Sequence, residues 1–213
     1  IRNSIREFAL ENNFSFYDIR NHSGGLRNVI IRTTNAGDIM VIVAFAYIDE
    51  EQQKLLLEHI AEQFPEITSL MYVVNQKKND TILDQAIKLF KGQDYITETM
   101  EGLQYRIGSK SFFQTNSVQA YELYKVTRDF AGLNGTETVY DLYTGTGTIA
   151  NFIAASCKKV VGIEYVPEAI VDAQKNAAVN NISNCEFVAG DIKDIFTDEF
   201  IEAYDSPDVI ITD

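Results

Sequence analysis

The stretch from Val139 to Glu164, VYDLYTGTGTIANFIAASCKKVVGIE, reads as a strand, a glycine turn, a helix and a second strand that ends on a carboxylate. Gly145 and Gly147 let the backbone turn sharply and approach a ligand, and the helix after them offers its unpaired N–H groups. Glu164 lies about 20 residues beyond the turn, the distance at which an acidic side chain in such a unit accepts hydrogen bonds from ribose hydroxyls. A chain built on this unit is committed to parallel strands with crossover helices and to a nucleoside-bearing ligand.

Two ligand classes stay open at this point. Ala150 completes G-x-G-x-x-A, so the loop satisfies the dinucleotide fingerprint of nicotinamide and flavin enzymes. Against that stands Asp141, four residues before Gly145, where a carboxylate repels a diphosphate. S-adenosylmethionine instead carries an ammonium and a sulfonium, and two opposite unit charges about 4 Å apart attract by about 4 kcal/mol at an effective dielectric near 20. The charge pattern favours S-adenosylmethionine over NAD. The plainer reading of Asp141 is a helix cap or a solvated loop carboxylate. Two further acids weigh against it: Asp191 follows the strand Cys185 to Ala189 and is placed to accept from an adenine amino group, and Asp213 ends the apolar run Val209 to Thr212. Four strands in succession deliver a carboxylate at the carboxyl edge, where open α/β sheets bind ligands.

Composition sets the outer limits. At 213 residues with 46% hydrophobic side chains, the chain can bury the cores of two small domains. The opening IRNSIREFALENN has neither a signal-peptide core nor transit-peptide character, and no apolar run reaches the length of a membrane span, so a cytoplasmic protein with no membrane partner is expected. Cys157 and Cys185 lack C-x-x-C spacing and read as structural; with only His22 and His59 beside them, no metal site is expected. The net charge of −13 opposes a strong grip on nucleic acid by this chain alone. Residues 1–106 hold 11 Lys and Arg against 15 Asp and Glu, whereas 107–213 hold 7 against 16, so any RNA contact is expected in the first half.

Along the chain, Ile1 to Asn12 has helical spacing, and Arg27 to Thr34 with Asp38 to Ala46 reads as a hairpin around Asn35-Ala36-Gly37. Asp49 is placed to cap a helix from Glu50 to Phe64, with Gln52 closing a capping box and Pro65 ending it. Ile67 to Asn75 is strand-like, and Tyr95 to Ile107 reads as two short strands around Met-Glu-Gly. Residues 1–106 are therefore expected to form an α+β domain with a mainly antiparallel sheet. Residues 107–213, with a helix from Ser117 to Ala131 and then β-α-β-α-β-α-β, are expected to form a doubly wound α/β domain. The chain stops on Asp213 directly after an apolar strand, so a truncated domain within a longer protein is expected.

Ser111-Phe112-Phe113-Gln114-Thr115-Asn116 puts an aromatic ring and two amides on a loop leading to the cofactor crevice. The amides of Gln114 and Asn116 can bond a base or the amino-acid end of a cofactor, and Phe112 can stack on an extruded RNA base, worth about 1–3 kcal/mol. The plainer reading is a strand end with Asn116 capping the next helix. In combination, SFFQTN, YDLYTGTG, VVGIE, AGD and DVIITD resemble the RNA (uracil-5-)-methyltransferase family, and the resemblance extends back through GGLRNVIIR and GQDYI. It implies a class I, Rossmann-like methyltransferase domain using S-adenosylmethionine, with Gln114 and Tyr143 at the cofactor, Glu164 at its ribose and Asp191 at its adenine. It also implies Asp213 bordering both cofactor and target uracil, Phe112 against that base, and Arg27 near the active site.

The departures are as informative. Neither the RNA-binding β-barrel of many members nor the four cluster-binding cysteines of some is present, and the family's nucleophilic Cys and proton-abstracting Glu lie beyond Asp213. Uracil C5 becomes nucleophilic when a thiolate adds to C6; a base then takes the C5 proton and the thiolate leaves. No catalytic residue of that step is expected within residues 1–213, which by themselves are expected to bind cofactor weakly or not at all and to transfer no methyl group. The expected function of the longer protein is methylation of a uridine in RNA, 23S ribosomal RNA before transfer RNA. An amino-methyltransferase and a non-catalytic RNA-binding module stay open as alternatives.

Overall fold

A computed structural model of the chain describes residues 1–47 and 49–213, which divide into two compact units. The first comprises Ile1–Ile96 with Gly108–Lys110. It holds α1 (Arg2–Glu11), β1 (Leu26–Thr33), β2 (Ile39–Phe45), α2 (Glu50–Gln63), β3 (Ser69–Val74) and β4 (Lys88–Gly92). The sheet order is β1-β2-β3-β4. Two of its pairings are antiparallel, as expected, but β2 and β3 are parallel because α2 carries the chain back across the sheet as a crossover. Strand β2, IMVIVAF, is the central apolar run and is almost wholly buried. Val41, Val43 and Phe45 on one of its faces meet Leu56, Leu57 and Ile60 of α2 together with Ile5 and Ala9 of α1. Asp49 caps α2, accepting from the N–H groups of Glu51 and Gln52 at 3.1 Å each. Strand β4, KLFKG, has no β-forming pattern of its own; it is a short, lysine-bearing edge that exists by pairing with β3.

Arg27, on β1, is the residue expected near substrate, and in the structure it has extensive local contacts. Its side chain is 1% exposed and its guanidinium is bonded to the carbonyls of Asn75, Lys77 and Asn79 and, through Nε and Nη2, to Asp80. It also lies 4.3 Å over the Tyr17 ring. Four hydrogen bonds and an ion pair thus hold the guanidinium in place. Its work is to fold the 75–80 loop.

The second unit comprises Thr97–Ile107 with Ser111–Asp213, so the division does not fall in a single step at residue 107. Strands β5 (Tyr95–Met100) and β6 (Leu103–Gly108) form the expected hairpin, turning through Glu101 and Gly102 at φ 47° and 82°. After α3 (Ser117–Ala131) come β7 (Thr138–Leu142), α4 (Thr148–Ile153), a single 3₁₀ turn, β8 (Lys159–Glu164), α5 (Pro167–Val179), β9 (Cys185–Ala189), α6 (Ile192–Ile195), α7 (Asp198–Tyr204) and β10 (Val209–Thr212). Every pairing in the sheet is parallel and its order is β10-β7-β8-β9. The chain steps outward from β7 to β8 to β9, then returns to the other side of β7. That reversal opens a crevice at the carboxyl ends of β7 and β10, the place where such sheets bind ligands. Tyr140, Val161, Ile163 and Phe200 fill the core on one face of the sheet. Among the described residues no helix is long and apolar enough to cross a membrane.

The reading of Arg27 gives a first expectation. A lysine keeps the charge but cannot reach four partners, so Arg27→Lys should lower stability by about 2–3 kcal/mol and expose the 75–80 loop to protease. Equilibrium denaturation with limited proteolysis checks this; an unchanged midpoint would contradict it.

Candidate functional site

The glycine turn begins where β7 ends. Thr144 N–H donates to the Ile163 carbonyl at 3.0 Å, and Gly147 N–H closes a tight turn on the Thr144 carbonyl at 2.9 Å. Gly145 and Gly147 have φ of 55° and 73°, but they serve different ends. A Cβ on Gly145 would meet nothing within 4 Å, leaving open space on the ligand side. A Cβ on Gly147 would fall 2.8 Å from Ala173 Cβ and 2.9 Å from Phe187, so this glycine lets the turn pack onto α5 and β9. Tyr143 also has positive φ, 63°, and is 62% exposed. A non-glycine residue held there costs on the order of 1–3 kcal/mol and is typical of ligand sites.

A cavity of about 380 Å³ opens at this turn, within the size range of small-ligand sites. It is lined by Phe112, Phe113, Gln114, Tyr124, Asp141, Tyr143, Thr144, Gly145, Thr146, Thr148, Ile149, Glu164 and Asp213. The structure therefore gathers Phe112, Gln114, Asp141, Tyr143, Gly145, Glu164 and Asp213 of the expected residues around one space. Three carboxylates line it and, among the described residues, no Lys, Arg or His does. A diphosphate would enter against uncompensated negative charge, whereas an ammonium or sulfonium would be attracted. The residues thus fit S-adenosylmethionine better than a dinucleotide.

Glu164 is already oriented. One oxygen accepts from Gly145 N–H at 3.1 Å and the other from Val166 N–H at 2.9 Å, which leaves lone pairs of a fixed carboxylate for a ribose diol. Asp141 is 2% exposed, and both readings of it hold at once. Its Oδ2 accepts from Thr144 Oγ1 and from Ala150 N–H at 3.1 Å, so it caps α4, whose own N-cap Gly147 has no side chain to do so. It also faces the cavity. Burial pushes its pKa up to about 6, against the opposing pull of the Thr144 and Ala150 bonds, and the charge of Asp213 adds to the rise. Tyr124, a lining residue that the sequence did not single out, is 3% exposed, and burial with the Asp213 charge raises its pKa to about 12. It stays a neutral donor at physiological pH.

Other expected residues lie elsewhere. Asn116 caps α3, accepting from Gln119 N–H at 3.1 Å, and is not in the cavity wall. Asp191 caps α6 and pairs with Lys193 Nζ at 2.8 Å, outside the cavity wall. Gly147 supports the turn from behind. Phe113, Thr144, Thr146, Thr148 and Ile149 line the wall without having been picked out. The only signal for the three threonines was their position inside T-G-T-G-T. Burial raises the pKa of Cys157 to about 11 and of Cys185 to about 12, which disfavours the thiolate, and neither cysteine lines the cavity. Among the described residues no cluster of His, Cys, Asp and Glu could hold a metal ion.

Comparison with known proteins bears on the fold and on the kind of protein this chain resembles. A family described as a methyltransferase domain matches residues 133–213. An uncharacterized RNA methyltransferase from Bacteroides thetaiotaomicron is 56% identical over 216 residues, covering 100% of this chain and 48% of that protein. Another from Porphyromonas gingivalis is 55% identical, covering 100% and 46%. The chain spans about half the length of the curated relatives it matches. Among solved structures, the Pyrococcus abyssi tRNA (uracil-54, C5)-methyltransferase in complex with S-adenosyl-L-homocysteine aligns with a TM-score of 0.74 at 27% identity, covering 89% of this chain and 45% of that one.

The raised pKa of Asp141 carries a pH dependence with a definite sign. Its folded value lies above the ordinary 3.8, so it disfavours folding as pH rises from about 4 through 6. A cationic ligand binds the ionised form, so affinity for S-adenosylhomocysteine, which keeps the ammonium, should rise about tenfold between pH 5 and 7. Proton release near pH 6 should accompany it, and Asp141→Asn should flatten the profile. Calorimetric titration of the intact protein in two buffers checks this; an affinity that is constant or falls over that range would contradict it. By its topology, its cavity and these likenesses, the second unit has the class I fold of S-adenosylmethionine-dependent methyltransferases, in a chain similar along its whole length to RNA methyltransferases.

Proposed function

We propose that this chain is part of an RNA (uracil-5-)-methyltransferase that transfers a methyl group from S-adenosylmethionine to C5 of a uridine. The observation that carries this reading is the likeness, over 89% of the chain, to an enzyme whose name specifies uracil C5. The cavity, lined by aromatic rings and three carboxylates, supports it. Bound S-adenosylmethionine supplies the electrophilic methyl. Glu164 holds the ribose through its pre-oriented carboxylate, Asp141 and Asp213 set the negative potential that receives the cationic end, and Gln114 and Tyr143 flank the amino-acid portion. Phe112, 74% exposed at the cavity wall, offers a face on which a flipped base stacks.

The nucleophile that adds to uracil C6 and the base that removes the C5 proton are assigned to residues outside this chain, because Cys157 is buried, Cys185 is partly so, and neither lines the cavity. The RNA is a single-stranded loop, the context in which a base can be extruded at least cost. The resemblance of this chain's motifs to the uracil-5-methyltransferase family favours ribosomal RNA, 23S first, as the source of that loop. The Pyrococcus relative's name specifies tRNA, which makes transfer RNA the second reading.

The test uses the intact protein with RNA transcripts carrying tritium at uridine C5. Methylation at C5 must expel that tritium into water, mole for mole with methyl incorporated. Methyl incorporation without tritium release would place the reaction on nitrogen or ribose and overturn the proposal; ribosomal and transfer transcripts run in parallel separate the two substrates.

A further inference from the structure

Helix α5 does not line the cavity, yet it grips the turn that does. Asn176 is 1% exposed, and its Nδ2 donates to the Thr146 carbonyl at 3.1 Å, between the two glycines of the turn. Its Oδ1 accepts from Arg106 N–H of β6 at 2.8 Å. One helical turn later, Asn180 repeats the contact with the same strand: its Oδ1 accepts from Gln104 N–H at 2.8 Å and its Nδ2 donates to Gln104 O at 2.7 Å. The two amides imitate the edge of a neighbouring strand, so the hairpin is sealed against α5 rather than against another strand. Only Asn176 also reaches the turn. Beside it, Ala173 of the same helix fills the space that forces residue 147 to be glycine.

We propose that Asn176 is a positioning residue for the cofactor turn: it locks the Thr146 carbonyl and couples the turn to the β5–β6 hairpin, so that Gly145 and Thr146 hold their ligand-ready geometry before any ligand arrives. This rests on the reading of the cavity as the S-adenosylmethionine site. A turn held at Thr144 by β8, at Gly145 by Glu164, at Thr146 by Asn176 and at Gly147 by packing has little freedom left to lose on binding, and the ordering cost of association falls accordingly. Without Asn176 the middle of the turn is free to rotate its peptide, and a buried carbonyl loses its partner.

The test compares Asn176→Asp with Asn180→Ala in the intact protein. Asn176→Asp keeps an acceptor for Arg106 N–H but sets an oxygen against the Thr146 carbonyl, whereas Asn180→Ala breaks the hairpin contact and a bond to the Asn176 backbone carbonyl but leaves the Thr146 bond in place. Titration with S-adenosylhomocysteine should show a loss of about tenfold or more for Asn176→Asp. For Asn180→Ala, affinity should stay within about twofold of wild type despite a lower melting temperature. In the ligand-free state, exchange of the Gly147 amide should accelerate in Asn176→Asp and not in Asn180→Ala. Unchanged affinity and exchange in Asn176→Asp, or equal losses in both variants, would overturn the proposal. If wild type itself fails to bind S-adenosylhomocysteine, the functional reading falls and the exchange data alone judge the clamp. Asn176→Ser, read in the same way, stands in should Asn176→Asp not fold.

Discussion

The site depends on two carboxylates that hold the backbone and face the ligand at the same time. Asp141 takes the N–H of Ala150 at the start of α4, and Glu164 takes the N–H of Gly145 inside the turn. Each bond fixes a carboxylate that would otherwise swing, and each fixes a piece of chain that would otherwise be free. Capping by an acid from a different strand is possible here because α4 starts on a glycine with no side chain of its own to offer. The same acids then present negative charge to a cavity with no cationic neighbour among the described residues. Structure and ligand selectivity share their residues, so neither can be altered alone.

Sheet topology decides where those acids meet. Because β10 returns to the far side of β7, the ends of the two strands open a crevice, and Asp141 and Asp213 enter it from its two sides while Glu164 reaches it from β8. The cost is visible at Asp141, whose burial beside Asp213 raises its pKa to about 6. A carboxyl that holds its proton up to about pH 6 is poised to exchange that proton for a cation. The exposed aromatic residues at its wall, Phe112 and Tyr143, carry no comparable structural duty, and Tyr143 holds a strained backbone angle besides.

Much of this was legible in the residues. Periodicity located α1, α2, α3, the hairpins and all four parallel strands of the second unit, because each carries a strong pattern bounded by a cap, a glycine or a proline. Strand β4 was missed, since KLFKG becomes a strand only by pairing with its neighbour, and the parallel register of β2 with β3 is set by a crossover that no local pattern encodes. The acids that residue identity singles out, Asp141, Glu164 and Asp213, line one cavity, but identity says nothing of competing partners. Arg27, Asn116 and Asp191 have suitable chemistry, and in the fold each also has a local partner, in the 75–80 loop, at the α3 terminus and in Lys193. Asn176 went unnoticed for the converse reason: a helical asparagine is unremarkable until tertiary structure brings a strand edge and a turn carbonyl to its two ends.

The central claim is that the acid-lined glycine turn is built for a positively charged adenosine derivative. Side-by-side calorimetric titration of the intact protein with S-adenosylmethionine and with ADP-ribose at neutral pH tests it most directly. The two ligands share adenosine and carry groups of opposite charge on its 5′ carbon. The account predicts saturable binding of S-adenosylmethionine and none of ADP-ribose. Equal or tighter binding of ADP-ribose would contradict it.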